Sequence, residues 1–337
     1  MNEQAFKTEL KEPQAQSVQF FGWTVRILTL VAVVVGGLTL VFYLYQDVTG
    51  LTAKAADVDV ESVTISETPT TPSAEPVEVP LTAITSCISQ DLIDESEHPL
   101  TPLIDMAEYG RELIVENVRD YTAVLTKRVR ARGKLQPEEK LFIKIRHADK
   151  GTDETQSVPF SVYTRFENLK KGQEVIYVEG QNDNKLVAHG PVGLLNLMTL
   201  KLDPESNMAM NGNRYPIWTI GMLNLIKLMI EKANNDRNYD DCKVTLTRNV
   251  KMGDANCTRL VITHEEKAAH FEFHRAEIYI DDDRNLPIGF RSYDWPEKPG
   301  GRPRLQERYY YTNIKVNVGL TDDDFDPSND KYHFPGN

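Results

Sequence analysis

Residues 217–232, IWTIGMLNLIKLMIEK, decide how the rest of the chain must be arranged. Apolar side chains at Trp218, Ile220, Met222, Leu223, Leu225, Ile226, Leu228, Met229 and Ile230 cover most of a helical circumference, and Lys227 is the only charge before the last turn. A helix that is apolar nearly all round is buried on more than one side. Its sixteen residues fall short of the roughly 20 that cross a bilayer. The run is therefore expected to pack into the concave side of a curved sheet, with Pro216 beside its N-terminus and Asn234-Asn235 ending it.

The sheet is legible on both sides of that run. Alternating apolar and polar residues predict strands over 121–130, 140–146, 160–166, 174–179 and 185–189 before it, and over 243–251, 257–264, 269–280, 286–293 and 305–318 after it. Turn-rich pieces such as Arg132-Gly133-Lys134, Asn182-Asp183-Asn184 and Met252-Gly253-Asp254 separate them. Connections this short favour antiparallel meanders over helical crossovers. A first helix is expected from about Pro102 to Asn117, where Leu103, Met106, Ala107, Gly110 and Ile114 follow at helical spacing. The expectation is an α+β fold: about ten strands in one strongly curved antiparallel sheet, a half-barrel, with helices covering its concave side.

Upstream, residues 27–45, from Ile27 to Tyr45, read ILTLVAVVVGGLTLVFYLY without a charge, long enough for a transmembrane helix. Lys7, Lys11 and Arg26 precede it, and Lys54 alone follows within the next thirty residues. Such asymmetry places the tail, residues 1–26, in the cytoplasm and residues 87–337 outside an inner membrane, in the periplasm. Residues 46–86, rich in Thr, Pro and Glu, offer little apolar surface to offset the entropy of ordering and read as a disordered linker. A cleaved leader is disfavoured by the length of the run and its distance from Ala53-Lys54-Ala55.

A net charge of −12 argues against a nucleic-acid surface, which needs clustered cations. The cluster Lys127, Arg128, Arg130, Arg132 and Lys134 reads as the wet face of a strand. Cys87, Cys242 and Cys257 are the only cysteines. With a hairpin turning at Gly253-Asp254, Cys257 faces Val250 and Cys242 lies near Glu265, which separates the last two beyond bridging unless the register shifts. His264, His270 and His274 are the one histidine cluster, but on a strand His270 and His274 stand about 13 Å apart, too far to share one zinc. Their expected role is a solvated or ligand-rim face, with Phe271 and Phe273 buried opposite. The acidic runs 281–283 and 322–326 lack the glycine and distal glutamate of a calcium loop and read as a turn and a tail cap. No hydrolase, zinc-protease or nucleotide-binding motif occurs, so the domain is read as non-enzymatic, without metal or cofactor.

The stretches GQEVIYVEGQNDNKLVAHG, LKLDPESNMAMNGNRYPIWTIGMLNLI and LPIGFRSYDWP, followed by LQERYYYTNIKVNVGLTDDDFDP, resemble a bacterial envelope family known as domain of unknown function 1571. The resemblance spans roughly residues 103–334. Its most specific part is Asn213 to Ile217 with Gly221, although the family often has histidine where this chain has Tyr215. In fold, the order of elements and the AEIYIDDDRNLPIGFRSYDW pattern are similar to the lipoprotein-sorting factors LolA and LolB, whose half-open barrels have an apolar cavity under helices. That resemblance implies binding of a lipid, an acyl chain or a lipidated protein segment. Arg214, Tyr215, Ile217, Trp218, Met222, Ile226, Met229, Phe271 and Phe273 are the candidate contacts. Arg214 serves equally as a structural ion pair, and the same aromatics serve a filled core, in which case the domain is a sensor or interaction module for an envelope partner. An uncharacterised hydrolase is the third reading.

Overall fold

A computed structural model of the chain describes residues 98–149, 157–190 and 198–335. The expected tail, membrane span and linker, and Cys87, lie outside the described residues. Among the described residues no helix is long and apolar enough to cross a membrane.

The chain enters through helix α1 (Thr101–Asn117), and Pro102 sits at its start, where a missing amide hydrogen costs nothing. Five strands follow on one side of the sheet: β1 (Asp120–Ala131), β3 (Glu139–Arg146), β4 (Ser161–Phe166), β5 (Glu174–Val178) and β6 (Leu186–His189). Two further strands, β2 (Lys134–Leu135) and β7 (Thr199–Leu202), are too short and polar to stand out in the sequence. Helix α2 (Met222–Asp236) interrupts, and β8 (Lys243–Met252), β9 (Ala255–Thr263), β10 (Arg275–Asp281), β11 (Leu286–Asp294) and β12 (Arg304–Val316) complete the fold. The result is an α+β domain with a mostly antiparallel sheet of twelve strands that does not close, in the order β7-β6-β5-β4-β3-β1-β12-β11-β10-β9-β8, with β2 attached to β1.

Leu186 and Ala188 of β6 share one apolar cluster with Cys257 of β9 and with Met222, Leu223, Ile226 and Ile230 of α2. Eight strand spacings separate β6 from β9 along the sheet, about 38 Å if it were flat. Leu100, Leu103 and Ile104 at the start of α1 pack with Leu260, Phe273, Ile278 and Phe290 in an adjoining cluster. The helices meet at Gly110, where an added Cβ would lie 3.3 Å from Ile226 Cδ1.

Three expectations are corrected. The long helix does not begin at Ile217: residues Ile217–Thr219 form a short 3-10 turn, and Gly221, with φ +116°, breaks the path before α2. Residues 269–274 are not strand; β10 starts at Arg275, opposite Thr263. Phe271 and Phe273 are buried and Glu272 exposed because the aromatics are anchored beside His264, which imitates a strand's period. Lys127 does not lie on a wet face but points inward with Leu125 and Val129, paired to Glu139 at 2.9 Å. Cys242 and Cys257 are free, and Cys257 faces Val250 in the ladder.

The outer face of β4, β5 and β6 is covered as well. Phe325, Tyr332 and Phe334 of the C-terminal segment pack on Tyr163, Ile176, Val178 and Val187. The acidic run forms a 3-10 turn capped reciprocally by Thr321 and Asp324, and Lys144 binds Asp324 at 2.7 Å. Under the tail, fully buried Glu174 accepts hydrogen bonds from the Tyr163 hydroxyl (2.7 Å), the His333 backbone amide (2.7 Å) and His189 Nε2 (2.8 Å). His189 Nδ1 meets the Gly190 carbonyl at 2.9 Å. Both ring nitrogens thus face acceptors, and the imidazolium form satisfies both. Burial alone would raise the Glu174 pKa, but these donors outweigh it and bring it down to about 2.

Two outcomes follow from this packing. Gly221→Ala forces a side chain into a left-handed backbone and to within 3.1 Å of the Tyr121 hydroxyl; it should lower the urea midpoint by an amount equivalent to roughly 1–3 kcal/mol, with the slope unchanged. Because the Glu174 pKa is lower in the folded than in the unfolded chain, its stabilisation is complete above the unfolded value and is lost as pH falls from about 4.3 towards about 2. Urea midpoints measured across that window should fall in the parent protein and change much less in Glu174→Gln.

Candidate functional site

Beneath the body of α2, its side chains Met222, Ile226 and Ile230 are buried in one apolar cluster with Tyr121, Ile143 and Ile145. Open space appears at the N-terminal end of α2, where Gly221 turns the chain. A cleft of about 460 Å³ lies there, within the roughly 300–1,000 Å³ of small-molecule sites.

Three parts of the chain form it. The turn before α2 contributes Trp218 and Ile220, and α2 contributes Leu223, Asn224 and Lys227. Leu223 and Lys227 are four residues apart and Asn224 and Lys227 three, so all share one helix face. Asn224 Nδ2 donates to the Trp218 carbonyl at 2.8 Å and to the Ile220 carbonyl at 3.1 Å, which fixes the turn over the helix start. The sheet contributes the opposite wall. Arg146 pairs with Ser161 and Ser161 with Val178, and the Glu179 amide donates to the Phe160 carbonyl. That register sets His147, Phe160 and Glu179 in one row across β3, β4 and β5, with Tyr177 next along the strand.

Each polar group of the cleft has a defined state. His147 Nδ1 lies 2.8 Å from the Val118 carbonyl, which can only accept, so Nδ1 carries the hydrogen. Its Nε2 is buried without a hydrogen-bond partner among the described residues. Burial, helped by the charge of Lys227, holds the His147 pKa below the ordinary histidine value, so Nε2 presents a lone pair at neutral pH. Asn184 Oδ1 accepts from the Tyr177 hydroxyl at 2.9 Å and from the Gly180 amide at 3.2 Å, which leaves its Nδ2 as a donor. Lys227 and Glu179 are exposed and have no ion-pair partner among the described residues. The Tyr177 ring lies 6.2 Å from that of Trp218. The exposed surface of the cleft is more polar than apolar, with Trp218, Ile220, Leu223 and Phe160 set among donors and acceptors. No nucleophile–base pair lines it, and no group of three or more metal-ligating side chains is found among the described residues.

The sequence-predicted contacts are distributed over three places. Trp218 lines the cleft. Met222 and Ile226 are buried in the core behind it, and Ile217 and Met229 pack on that core half-buried. Arg214 and Tyr215 belong to a separate network around the buried carboxylate of Glu307. Tyr215 and Tyr309 hydroxyls donate to it at 3.2 Å each, Ser292 donates at 3.0 Å, and Arg214 lies 3.5 Å away. Burial raises the Glu307 pKa despite these partners. Phe271 and Phe273 flank the fully buried His264, whose ring stacks on Phe271 at 3.8 Å and bonds Asp236 at 3.2 Å and the Asp241 carbonyl at 2.7 Å. His264 is therefore not part of a solvated rim. His147, Phe160, Tyr177, Glu179 and Asn184 were missed; only the strand register, which unites residues up to 37 positions apart, brings them together.

Among solved structures, the chain is similar to a DUF1329 family protein from Desulfovibrio piger, at 15% identity and a TM-score of 0.33 over 68% of this chain and 98% of that one. It is also similar to a LolA superfamily protein from Nitrosomonas europaea (11%, 0.26, 66% and 97%) and to the Mycobacterium tuberculosis lipoprotein LppX (9%, 0.35, 66% and 98%). No curated protein matches the sequence. A family model described as protein of unknown function DUF1571 matches residues 118–334, well over half of the chain, and the chain belongs to that family.

Proposed function

We propose that this protein is a membrane-anchored domain on the outer side of an inner membrane that binds an amphiphile, a lipid, acyl chain or lipidated peptide, without transforming it. The observation that carries the reading is the cleft of about 460 Å³ between α2 and the concave face of β3–β5. Its apolar wall of Trp218, Ile220, Leu223 and Phe160 accepts a chain, and its polar rim accepts a head group. Burial of apolar surface contributes at roughly 25 cal/mol per Å² and the polar contacts of the cleft add to it, less the cost of immobilising the ligand. Anchoring through residues 27–45 rests on their composition and on the cations before them. It would keep the cleft within reach of one membrane face, and the linker, residues 46–86, would set that reach.

Titration of the purified full chain with a dansyl-labelled fatty acid tests the reading. One saturable site is expected, with affinity reduced about tenfold by Trp218→Ala, the loss that follows from removing about 1.4 kcal/mol of apolar contact. Absence of saturable binding, or binding indifferent to Trp218→Ala, contradicts it.

A further inference from the structure

The polar groups at the cleft rim fall into two sets of opposite demand. His147 Nε2 and the Glu179 carboxylate lack a donor, whereas Lys227 Nζ and Asn184 Nδ2 lack an acceptor, among the described residues. Many cations elsewhere in the domain are paired: Lys127 and Lys170 with Glu139, Lys144 with Asp324, Lys232 with Glu272. In the cleft, a cation and an anion line the same space and do not meet.

Their separation follows from the fold. Lys227 projects from α2 towards His147, where its charge is felt, and Glu179 stands beside Tyr177, whose hydroxyl pKa is raised by burial and then by that carboxylate. His147 and Glu179 end the same cross-strand row with Phe160 between them, two strand spacings or about 10 Å apart. The two charges thus flank the apolar wall rather than neutralise each other. A purely anionic head would gain Lys227 and face Glu179, and a purely cationic head the reverse. Either would leave like charges facing each other across the cleft.

Resting on the proposed amphiphile site, we infer that the head group it takes is zwitterionic: an anionic oxygen group held by Lys227 at the His147 end of the row, joined to an ammonium that donates to the Glu179 carboxylate at the other end. A phosphoethanolamine head has this chemistry. The apolar chain leaves over Trp218, Ile220 and Leu223.

Three probes test it on the purified full chain held in amphipol, free of detergent: lysophosphatidylethanolamine, lysophosphatidylglycerol with the same acyl chain, and chain-free phosphoethanolamine. The zwitterionic lysolipid is expected to bind about tenfold more tightly than the anionic one, the scale of one charge-assisted hydrogen bond. Glu179→Gln should abolish that preference, and Lys227→Met should weaken both lysolipids. Both side chains are exposed, and circular dichroism verifies folding of each variant. Phosphoethanolamine alone should bind at least a hundredfold more weakly than its lysolipid. Equal binding of the two lysolipids, or a preference that survives Glu179→Gln, overturns the head-group inference while leaving the amphiphile site standing. Binding of neither lysolipid overturns both, and equal binding of chain-free phosphoethanolamine overturns the amphiphile.

Discussion

The Met222 amide donates to the Tyr121 hydroxyl at 3.0 Å, wholly inside the domain, and the Gly221 amide reaches the Tyr311 hydroxyl beside it. The first turn of a helix has amides with no partner of its own, and here α2 ends in the middle of a sheet rather than in water. Two tyrosines from the adjacent strands β1 and β12 supply the acceptors. Burial raises both of their pKa values, so the hydroxyls remain neutral. This contact requires that the backbone at residue 221 approach Tyr121 and Ile145 closely and turn through a left-handed conformation. Glycine does both. With α2 pinned there, Met222, Leu223, Ile226 and Ile230 join the apolar core of the sheet, and Trp218 and Ile220 of the preceding turn line the cleft.

The two sides of the sheet are stabilised differently. Inside, apolar packing dominates near the helices, and charge enters at the end near Asn213 and Arg214, where Glu139 and Glu307 are each surrounded by donors. Outside, β4–β6 would present an apolar strip to solvent if the C-terminal segment did not lie on it. Glu174 holds that segment through the His333 amide, and His189, hydrogen-bonded to Glu174, packs its ring edge-on against Phe334. The edge strand β8 has no strand beyond it among the described residues; its Lys243, Arg248 and Lys251, with a register shift between Thr247 and Val250, are the devices by which sheet edges resist further pairing.

Most of the architecture could be read from periodicity because half-buried antiparallel strands write their burial into alternate residues. The strand limits near Tyr121, Lys140, Glu174 and Leu286 needed nothing more. The uninterrupted apolar run Val175-Ile176-Tyr177-Val178 is a sign of burial on both faces, whereas SVYTRF carries Ser161, Thr164 and Arg165 and gives no such sign, and neither says what covers the second face. The helix start was misread for a physical reason: Ile217, Trp218 and Ile220 continue the apolar spacing of α2, so periodicity runs through a break that only the backbone at Gly221 enforces. Residues 269–274 show the converse, alternation produced by aromatic anchoring without strand pairing. The candidate site was least legible. Trp218 stands out as a large aromatic, but its neighbours His147, Phe160 and Glu179 are joined by register, and a row across three strands leaves no local pattern.

The proposed reading is that of a holder, with apolar side chains around Trp218 and a divided set of charges beside them. Its central claim is positional, namely that an acyl chain lies between the turn at Trp218 and the row His147–Phe160–Glu179. Photolabelling of the full chain with a diazirine-bearing fatty acid, followed by peptide mass mapping, tests this most directly. The account predicts adducts concentrated on the peptides carrying Trp218 and Leu223 and on those carrying Phe160 or Tyr177. Adducts spread evenly over the surface, or gathered at exposed Tyr109 and Val115 on α1, would contradict it.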